Sequence, residues 1–352
     1  MTLIEKEKLQ QILDEAVASG EECGCQLAVY QHGKQLCSLC AGFTTPDKKI
    51  KVDENTLFPI FSVGKGIISA LMHILYEQGF YDYDDLVGSY WPEYACNGKE
   101  MNRILHILTH RSGLYQFPAC MPLEEQFQWE KAYSVLSAMA PLDCIGGKHH
   151  YHARTYGVLT GRLAELLTGE KLSVLLKKNI WDVLGIDRVF FGLPETHFRE
   201  LALIDDSANS NDYLTRFNSI SLLGGLNPSS NGCANALSLA KLYASLLPEG
   251  LEGKTLLKKQ TVENATILRR APDDPILPEQ WAKFGLGWVL CGPENDRGRM
   301  FGHGGACGSE AFADKESGIA VGFTKNKVNK NHPDHITRNK ISRVLGIPER
   351  IW

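Results

Sequence analysis

Strand-like segments stand near both ends of this chain, and the long stretch between them has mostly helical patterns. Residues 24–43 predict a β-hairpin that turns at His32-Gly33. Near the other end, FGLGWVLC, RMFGHGG, SEAFAD and GIAVGFTKN have the spacing of an antiparallel meander, whereas residues 84–270 contain helical segments separated by Gly, Pro and Asn loops. One sheet that takes strands from both chain ends, with helices inserted between them, implies an α+β architecture rather than a doubly wound one.

Helices are also expected on either side of this sheet. The first residues repeat apolar side chains at helical spacing up to Gly20, and HITRNKISRVL predicts a last helix. We therefore expect an antiparallel sheet flanked by N- and C-terminal helices. Residues 1–60 and 280–352 form the predicted sheet subdomain, and residues 61–279 form a mostly helical subdomain.

Charge and hydropathy exclude several broad classes of function. The 352 residues include 37 Lys and Arg and 41 Asp and Glu, so the net charge of −4 gives no basic footprint for nucleic acid. The first residues carry charges where a signal peptide needs an apolar core. The longest uncharged run, residues 217–240, is rich in Ser, Asn and Gly and contains Pro228, so no membrane span is expected. We predict a cytoplasmic protein with reduced thiols, although it has ten cysteines.

Four cysteines near the N-terminus suggest a zinc site as an alternative. Cys23 and Cys25 precede Cys37 and Cys40 in the predicted hairpin. Residues three apart on a strand point to opposite faces of a sheet, so Cys37 and Cys40 should diverge. We interpret the four as small buried side chains and expect no metal.

The histidines have similar alternatives. Residues 149–152 contain three histidines without a carboxylate or a cysteine pair at a matching spacing, which argues against a metal site. His106 and His110 stand four apart on a predicted helix but lack the intervening glutamate of a metalloprotease. We interpret both as packing or loop-anchoring groups.

The remaining chemical motif is S-x-x-K. The chain has no G-x-S-x-G motif and no complete phosphate or dinucleotide loop. Ser62 and Lys65 form one S-x-x-K, and Ser238 and Lys241 form another. Ser62 begins a predicted helix, where free N–H groups favour an oxyanion and Lys65 lies one turn along the same face, whereas Ser238 lies inside a helix. From the motif alone, an ordinary N-cap serine remains the alternative.

Four motifs in order resemble the serine β-lactamase and penicillin-binding-protein superfamily. They are FSVGKGIISALMHILYEQGFYDYDDLV from residue 61, ILTHRSGL from 107, YHARTYGVLTG from 151 and FGHGGACGSEAFAD from 301. Within it, the chain is most similar to the class C-like group, which includes family VIII carboxylesterases and eukaryotic β-lactamase-domain proteins. The resemblance extends over about residues 24–326. It implies a β-lactamase/transpeptidase-like fold with an active site between the two subdomains and no cofactor.

The resemblance also implies a role for each motif residue. Ser62 corresponds to the acylated nucleophile and Lys65 to its proton-relay partner. Tyr151 corresponds to the tyrosine of the family's Y-x-N motif, whose phenolate acts as general base. An acyl transfer needs such a nucleophile and a base that removes and returns its proton.

The last motif supplies the predicted substrate-binding groups. His303 begins the segment that corresponds to the K-T-G motif of β-lactamases, which is often H-x-G in the esterase-like branch. Ala306 corresponds to the residue whose backbone N–H, with that of Ser62, forms the oxyanion hole. The glycine pair Gly304-Gly305, before Ala306, is expected to leave room for substrate beside the strand.

Two departures from the family pattern favour esters. Ala153 replaces the asparagine of Y-x-N, so the amide that helps to hold the side chain of a β-lactam is missing. His303 replaces the lysine of K-T-G and is mostly neutral near pH 7, so it attracts a β-lactam carboxylate less strongly. We expect a serine hydrolase that cleaves small esters, with weak or no β-lactamase activity.

Other functions remain open at this point. A D-amino-acid peptidase or amidase, or a true β-lactamase, would use the same residues on an amide or β-lactam substrate. A non-catalytic scaffold or binding protein of the same fold is a further alternative. The loops at 115–128 and 271–280 carry no readable preference, and the sequence gives no indication of oligomeric state.

Overall fold

The computed structural model describes residues 3–207, 213–269, 283–293, 295–329 and 336–349. The strands are β1 (Gly24–Gln31), β2 (Lys34–Gly42), β3 (Phe58–Pro59), β4 (Val189–Phe190), β5 (Cys233–Ala234), β6 (Lys283–Phe284), β7 (Val289–Leu290), β8 (Met300–Gly304), β9 (Glu310–Asp314) and β10 (Ile319–Lys325). The α-helices are α1 (Leu3–Ala18), α2 (Val63–Glu77), α3 (Ile104–Leu108), α4 (Trp129–Ala138), α5 (Thr155–Thr168), α6 (Leu172–Leu176), α7 (Asp182–Leu184), α8 (Ile220–Leu223), α9 (Ala236–Ala244), α10 (Lys259–Ala265) and α11 (Ile336–Leu345).

The main sheet joins the two ends of the chain, as the sequence predicts. Within the described residues it has seven strands in the order β2-β1-β10-β9-β8-β7-β6, and neighbouring strands are antiparallel. The N-terminal hairpin meets the C-terminal meander where β1 pairs with β10, and Val29 lies opposite Val321. Because β8 pairs with β7 on one side and β9 on the other, it is an inner strand of the sheet rather than an edge strand.

Helices cover both faces of the sheet. Along β1, Leu27 and Val29 pack on one face with Leu9 of α1 and with α11. Ala28 and Tyr30 belong to the second and larger core, which contains residues of α2, α5 and α9. The two-residue alternation of a strand divides β1 between these cores, and it buries nearly all of the strand.

Three local features of the structure differ from what the sequence predicts. The segment FGLGWVLC is two short strands, β6 and β7, joined by a turn that contains Gly287 with a φ of +82°. Residues 87–94 form short 3₁₀ turns instead of an α-helix. A small sheet in the order β3-β5-β4 was not predicted, because two-residue strands are too short to show alternation.

Cys37 and Cys40 diverge, as predicted. Cys37 is buried against α1 in the outer core, and Cys40 packs instead beside Val52 and Phe58. In the part of the chain that the structure describes, no group of three or more His, Cys, Asp or Glu side chains is placed to hold a metal ion.

Some expectations fall outside these residues. The loop at 271–280 and the predicted helix start at residue 335 lie in segments that the structure does not describe. Among the helices that it does describe, none combines the length and the apolar composition needed to cross a membrane.

The β1–β2 hairpin turns at His32-Gly33, and both residues have positive φ, at 46° and 76°. Two such residues define a type I′ turn, which matches the twist of the strands. The turn also packs against a distant loop, because a Cβ on Gly33 would lie 2.1 Å from the carbonyl oxygen of Gly250. Gly33 is therefore required both by its backbone angle and by this close approach.

We expect Gly33→Ala to destabilise the protein by at least about 1 kcal/mol more than Gly79→Ala. Gly79 has nearly the same φ, +79°, but a Cβ there would meet nothing within 4 Å. Gly79→Ala thus measures the conformational cost alone, about 1–2 kcal/mol. The free energy of unfolding of both variants in urea tests this, and equal losses would contradict the packing argument.

Candidate active site

Ser62 stands at the start of α2, and its hydroxyl does not cap the helix. Ser62 has helical backbone angles, and its side chain makes no capping hydrogen bond. The Ser62 Oγ instead lies 2.9 Å from the Nζ of Lys65. The preceding residue, Phe61, has a φ of +46°, an uncommon conformation for a bulky residue. The structure therefore favours a reactive pair over the simple N-cap serine.

Lys65 is fully buried, and all three of its hydrogen-bond partners accept. Besides Ser62 Oγ, its Nζ donates to the carbonyl oxygens of Ala153, at 2.7 Å, and Ser229, at 3.0 Å. Burial lowers the pKa of Lys65 well below its usual value, and the positive charge of Arg154 lowers the pKa further. The neutral amine of Lys65 therefore forms at a lower pH than in an exposed lysine.

The two carbonyl groups also orient that neutral amine. A neutral amine has two N–H groups and one lone pair, whereas a carbonyl oxygen accepts only. If Ala153 and Ser229 take the two N–H groups, the lone pair faces the Ser62 hydroxyl. The arrangement allows Lys65 to accept the proton of Ser62.

Tyr151 lies beside this pair in the loop before α5. The Nζ of Lys65 is 4.9 Å from the centre of the Tyr151 ring, within the range of a cation–π contact. The ring also contacts His110, Phe284 and His303, with centroids 5.1, 6.0 and 6.1 Å away. Tyr151 is 40% exposed, so it borders solvent while touching the buried amine.

His303 lies within β8 and not at a turn. It is nearly buried, and its Nδ1–H donates to the carbonyl of Gly304, at 2.8 Å. This bond fixes the orientation of the ring beside Tyr151. His303 thus lies on the sheet side of the candidate site, beside Tyr151.

Gly305 brings the end of β8 against the segment before Ser62. A Cβ on Gly305 would lie 2.4 Å from the carbonyl oxygen of Ile60. The expected free space at this glycine is therefore occupied by Ile60 rather than available to a substrate. The close contact brings the end of β8 against the segment that leads to Ser62, and Ala306 directly follows Gly305.

Residues 227–231 are part of the site, and sequence reasoning missed them. Ser229 gives a carbonyl to Lys65, and its own N–H donates to the side chain of Asn227, at 3.1 Å. The Nδ2 of Asn227 donates in turn to the carbonyl of Arg154, also at 3.1 Å. The only signal in the sequence was an uncharged run rich in Asn and Ser. A buried loop needs such side chains to satisfy the hydrogen bonds of its backbone.

The histidines flagged in the sequence have separate structural partners. His149 bonds to the carbonyl of Arg269, His150 to Asp143 and His152 to the hydroxyl of Ser112. Burial lowers the pKa of His152 to about 3, so this ring is neutral near pH 7.

His106 and His110 anchor loops, as predicted. Nδ1 of His106 accepts from the N–H of Arg103, and Nδ1 of His110 accepts from the N–H of His152. His110 thereby fixes the loop that presents Tyr151, whose ring it also contacts.

The second S-x-x-K is structural. Ser238 is buried inside α9, where the side chain of Asn235 accepts from its N–H. Lys241 reaches away from it and donates to the carbonyl of Gly185, at 3.1 Å. The two S-x-x-K motifs thus differ in their surroundings, as the sequence analysis expected.

Comparison with known proteins assigns the family. The β-lactamase family model matches residues 9–345. The esterase/β-lactamase LipL of Mycobacterium tuberculosis is 27% identical over 339 residues, which cover 87% of this chain and 77% of LipL.

Solved structures show the same fold. A penicillin-binding-protein homologue from Caulobacter crescentus has a TM-score of 0.83 at 27% identity, and a family VIII carboxylesterase has a TM-score of 0.85 at 22% identity. Each alignment covers 97% of this chain and 96% of the other. Together with the geometry around Ser62, these matches show that the chain belongs to the β-lactamase family and has the β-lactamase/transpeptidase-like fold.

Proposed function

We propose that the protein is a serine hydrolase that cleaves small esters through an acyl-enzyme on Ser62. The observation that carries this proposal is the contact between Ser62 Oγ and the fully buried Nζ of Lys65, at 2.9 Å. A buried lysine with a lowered pKa is the form that removes a proton from a serine near neutral pH. Membership of a family with an esterase relative supports the same reaction.

The first half of the proposed cycle forms the acyl-enzyme. Ser62 Oγ attacks the ester carbonyl while its proton passes to Lys65, with Tyr151 beside the pair to carry the proton towards the leaving group. The tetrahedral oxyanion accepts from the N–H groups of Ser62 and Ala306. The bond to the alcohol oxygen then breaks, and the alcohol leaves with the proton.

The second half returns the enzyme to its starting state. Water attacks the acyl carbonyl of Ser62, giving up one proton to the same relay, and the bond to Ser62 Oγ breaks as that oxygen regains a proton. The acid is released. Every step uses groups of this chain, without a cofactor.

We also propose that substrate binds between the two predicted subdomains. Ser62 and Lys65 belong to the helical part at 61–279, whereas His303 and Ala306 belong to the sheet part at 280–352. A Cβ on Gly305 would also lie 3.5 Å from the Cβ of Phe61, so the two parts meet directly before Ser62. A substrate carbonyl over Ser62 would therefore touch both.

The surroundings support esters over β-lactams. Ala153 offers only a backbone carbonyl, which is already bonded to Lys65, so no side-chain amide is present there. The ring of His303 is held by the Gly304 carbonyl, and it replaces the fixed charge of the K-T-G lysine. A β-lactam would lose one hydrogen-bonding partner and one strong attraction.

We expect Ser62→Ala to lower the turnover of p-nitrophenyl butyrate by at least about 10³-fold, because the nucleophile is removed. Ser238→Ala, in the second S-x-x-K, should keep wild-type turnover and is the matched control. A fluorophosphonate probe should label the wild type and Ser238→Ala but not Ser62→Ala. Wild-type protein that neither turns over the ester nor takes the label would favour the scaffold interpretation.

We expect kcat/KM for p-nitrophenyl butyrate to exceed that for nitrocefin and for D-alanyl-D-alanine peptides. The reason is the missing amide at Ala153 and the replacement of the K-T-G lysine by His303. Measuring the three substrates under one condition tests this. A peptide or nitrocefin value that rivals the ester value would show an amidase or a β-lactamase instead.

The pH profile should show the lowered pKa of Lys65. The neutral amine is the active form, so kcat/KM should rise as pH increases and level off above the pKa of Lys65. Because burial and Arg154 lower that pKa, the rise should end well below pH 10.5. Stopped assays with p-nitrophenyl butyrate, corrected for spontaneous hydrolysis, measure it. A profile that still climbs at pH 10 would contradict a pre-neutralised Lys65.

A further inference from the structure

Arg154 places a positive charge beside the candidate site. It directly follows Ala153, whose carbonyl holds Lys65, and its own carbonyl accepts from Asn227. One guanidinium nitrogen, Nη1, donates to the hydroxyl of Tyr213, at 2.6 Å. The side chain is half-buried, so it is fixed in position but still reaches solvent.

This guanidinium has no carboxylate partner among the residues that the structure describes. Tyr213 takes one of its five N–H donors, and a phenol does not neutralise the charge. Some other arginines pair with acids, as Arg188 does with Glu200 and Arg299 with Asp314. A half-buried guanidinium with free donors is a suitable partner for a carboxylate.

Arg154 is also the charge that acts on Lys65. Apart from burial, its positive charge is the cause that lowers the pKa of Lys65. Burial favours the neutral forms of Lys65, His110 and His152, whereas a guanidinium stays charged. This side of the site is therefore complementary to an anion, although the whole chain has a net charge of −4.

We propose that Arg154 selects esters whose acyl group ends in a second, free carboxylate. The inference rests on the ester hydrolysis proposed above. The acyl side is assigned because position 153, next to Arg154, corresponds to the family residue that contacts the acyl side chain. In the family pattern, a lysine on the sheet side supplies the positive charge, and His303 replaces it here. Arg154 supplies a positive charge from the helical side instead.

The test compares two esters of equal chain length. The p-nitrophenyl monoester of glutarate carries the extra carboxylate, and p-nitrophenyl pentanoate does not. We expect the wild type to favour the glutarate monoester in kcat/KM, and Arg154→Gln to reduce this ratio by about tenfold or more, mainly through KM. The preference should also weaken in high salt.

The ratio of kcat/KM for the two esters separates carboxylate recognition from a second effect of Arg154→Gln. Loss of the Arg154 charge also raises the pKa of Lys65, but this changes the hydrolysis of both esters alike. Arg343→Gln is the matched control, because it removes the same charge from an exposed ion pair on α11, behind the sheet, and it should keep the wild-type ratio. Arg154→Lys, which keeps the charge, should restore part of the preference.

Tyr213→Phe keeps the test decisive if Arg154→Gln does not fold. It leaves the charge but removes the hydroxyl that positions it, so KM for the glutarate monoester should rise while kcat is maintained. A wild type that hydrolyses pentanoate but shows no preference for the glutarate monoester overturns this inference alone. An unchanged ratio in Arg154→Gln does the same. A wild type inactive towards both esters overturns the proposed function, and the inference with it.

Discussion

The burial of the Lys65 ammonium group is the constraint on which the candidate site depends. Moving a charged amine out of water is costly unless its donors are satisfied. Here the partners come from three segments: Ser62 one turn away, Ala153 before α5, and Ser229 in the polar loop before α9. The fold must bring these segments together to bury Lys65, and the same burial lowers the pKa that the proposed reaction needs. Stability and chemistry therefore oppose each other at this residue, as is common at functional sites.

A second constraint joins the sheet to the helical part. The end of β8 reaches the backbone before α2 because position 305 is glycine, and Ile60 occupies the space that a Cβ would need. Phe61, between Ile60 and Ser62, adopts a positive φ and packs against Phe217. These contacts set the distance between the N-terminus of α2 and the turn after β8. The two candidate oxyanion donors are thus positioned by backbone packing rather than by their own side chains.

Charge placement separates this chain from the family pattern. The sheet side of the pocket has His303 in place of the family lysine, and the helical side has Ala153 in place of an amide. Arg154, next to that alanine, keeps a positive charge near the reaction centre without an acidic partner in the described residues. This position of the cation is the basis of the proposed preference for a second carboxylate, since an ion pair is selective for its position.

The sequence by itself determined the elements whose signals are local. Strand alternation and the His32-Gly33 turn gave the hairpin, helical spacing gave α1 and α2, and the three-residue interval brought Ser62 and Lys65 into reach. Only the tertiary structure decided what surrounds that pair. Ser229 contributes a backbone carbonyl from 164 residues away, and a carbonyl group is the same in every residue, so the sequence carries no sign of it. The contact at Gly305, and the lack of an acidic partner for Arg154 among the described residues, were hidden for the same reason. Each depends on which distant segment packs against the residue, and residue type alone does not record that.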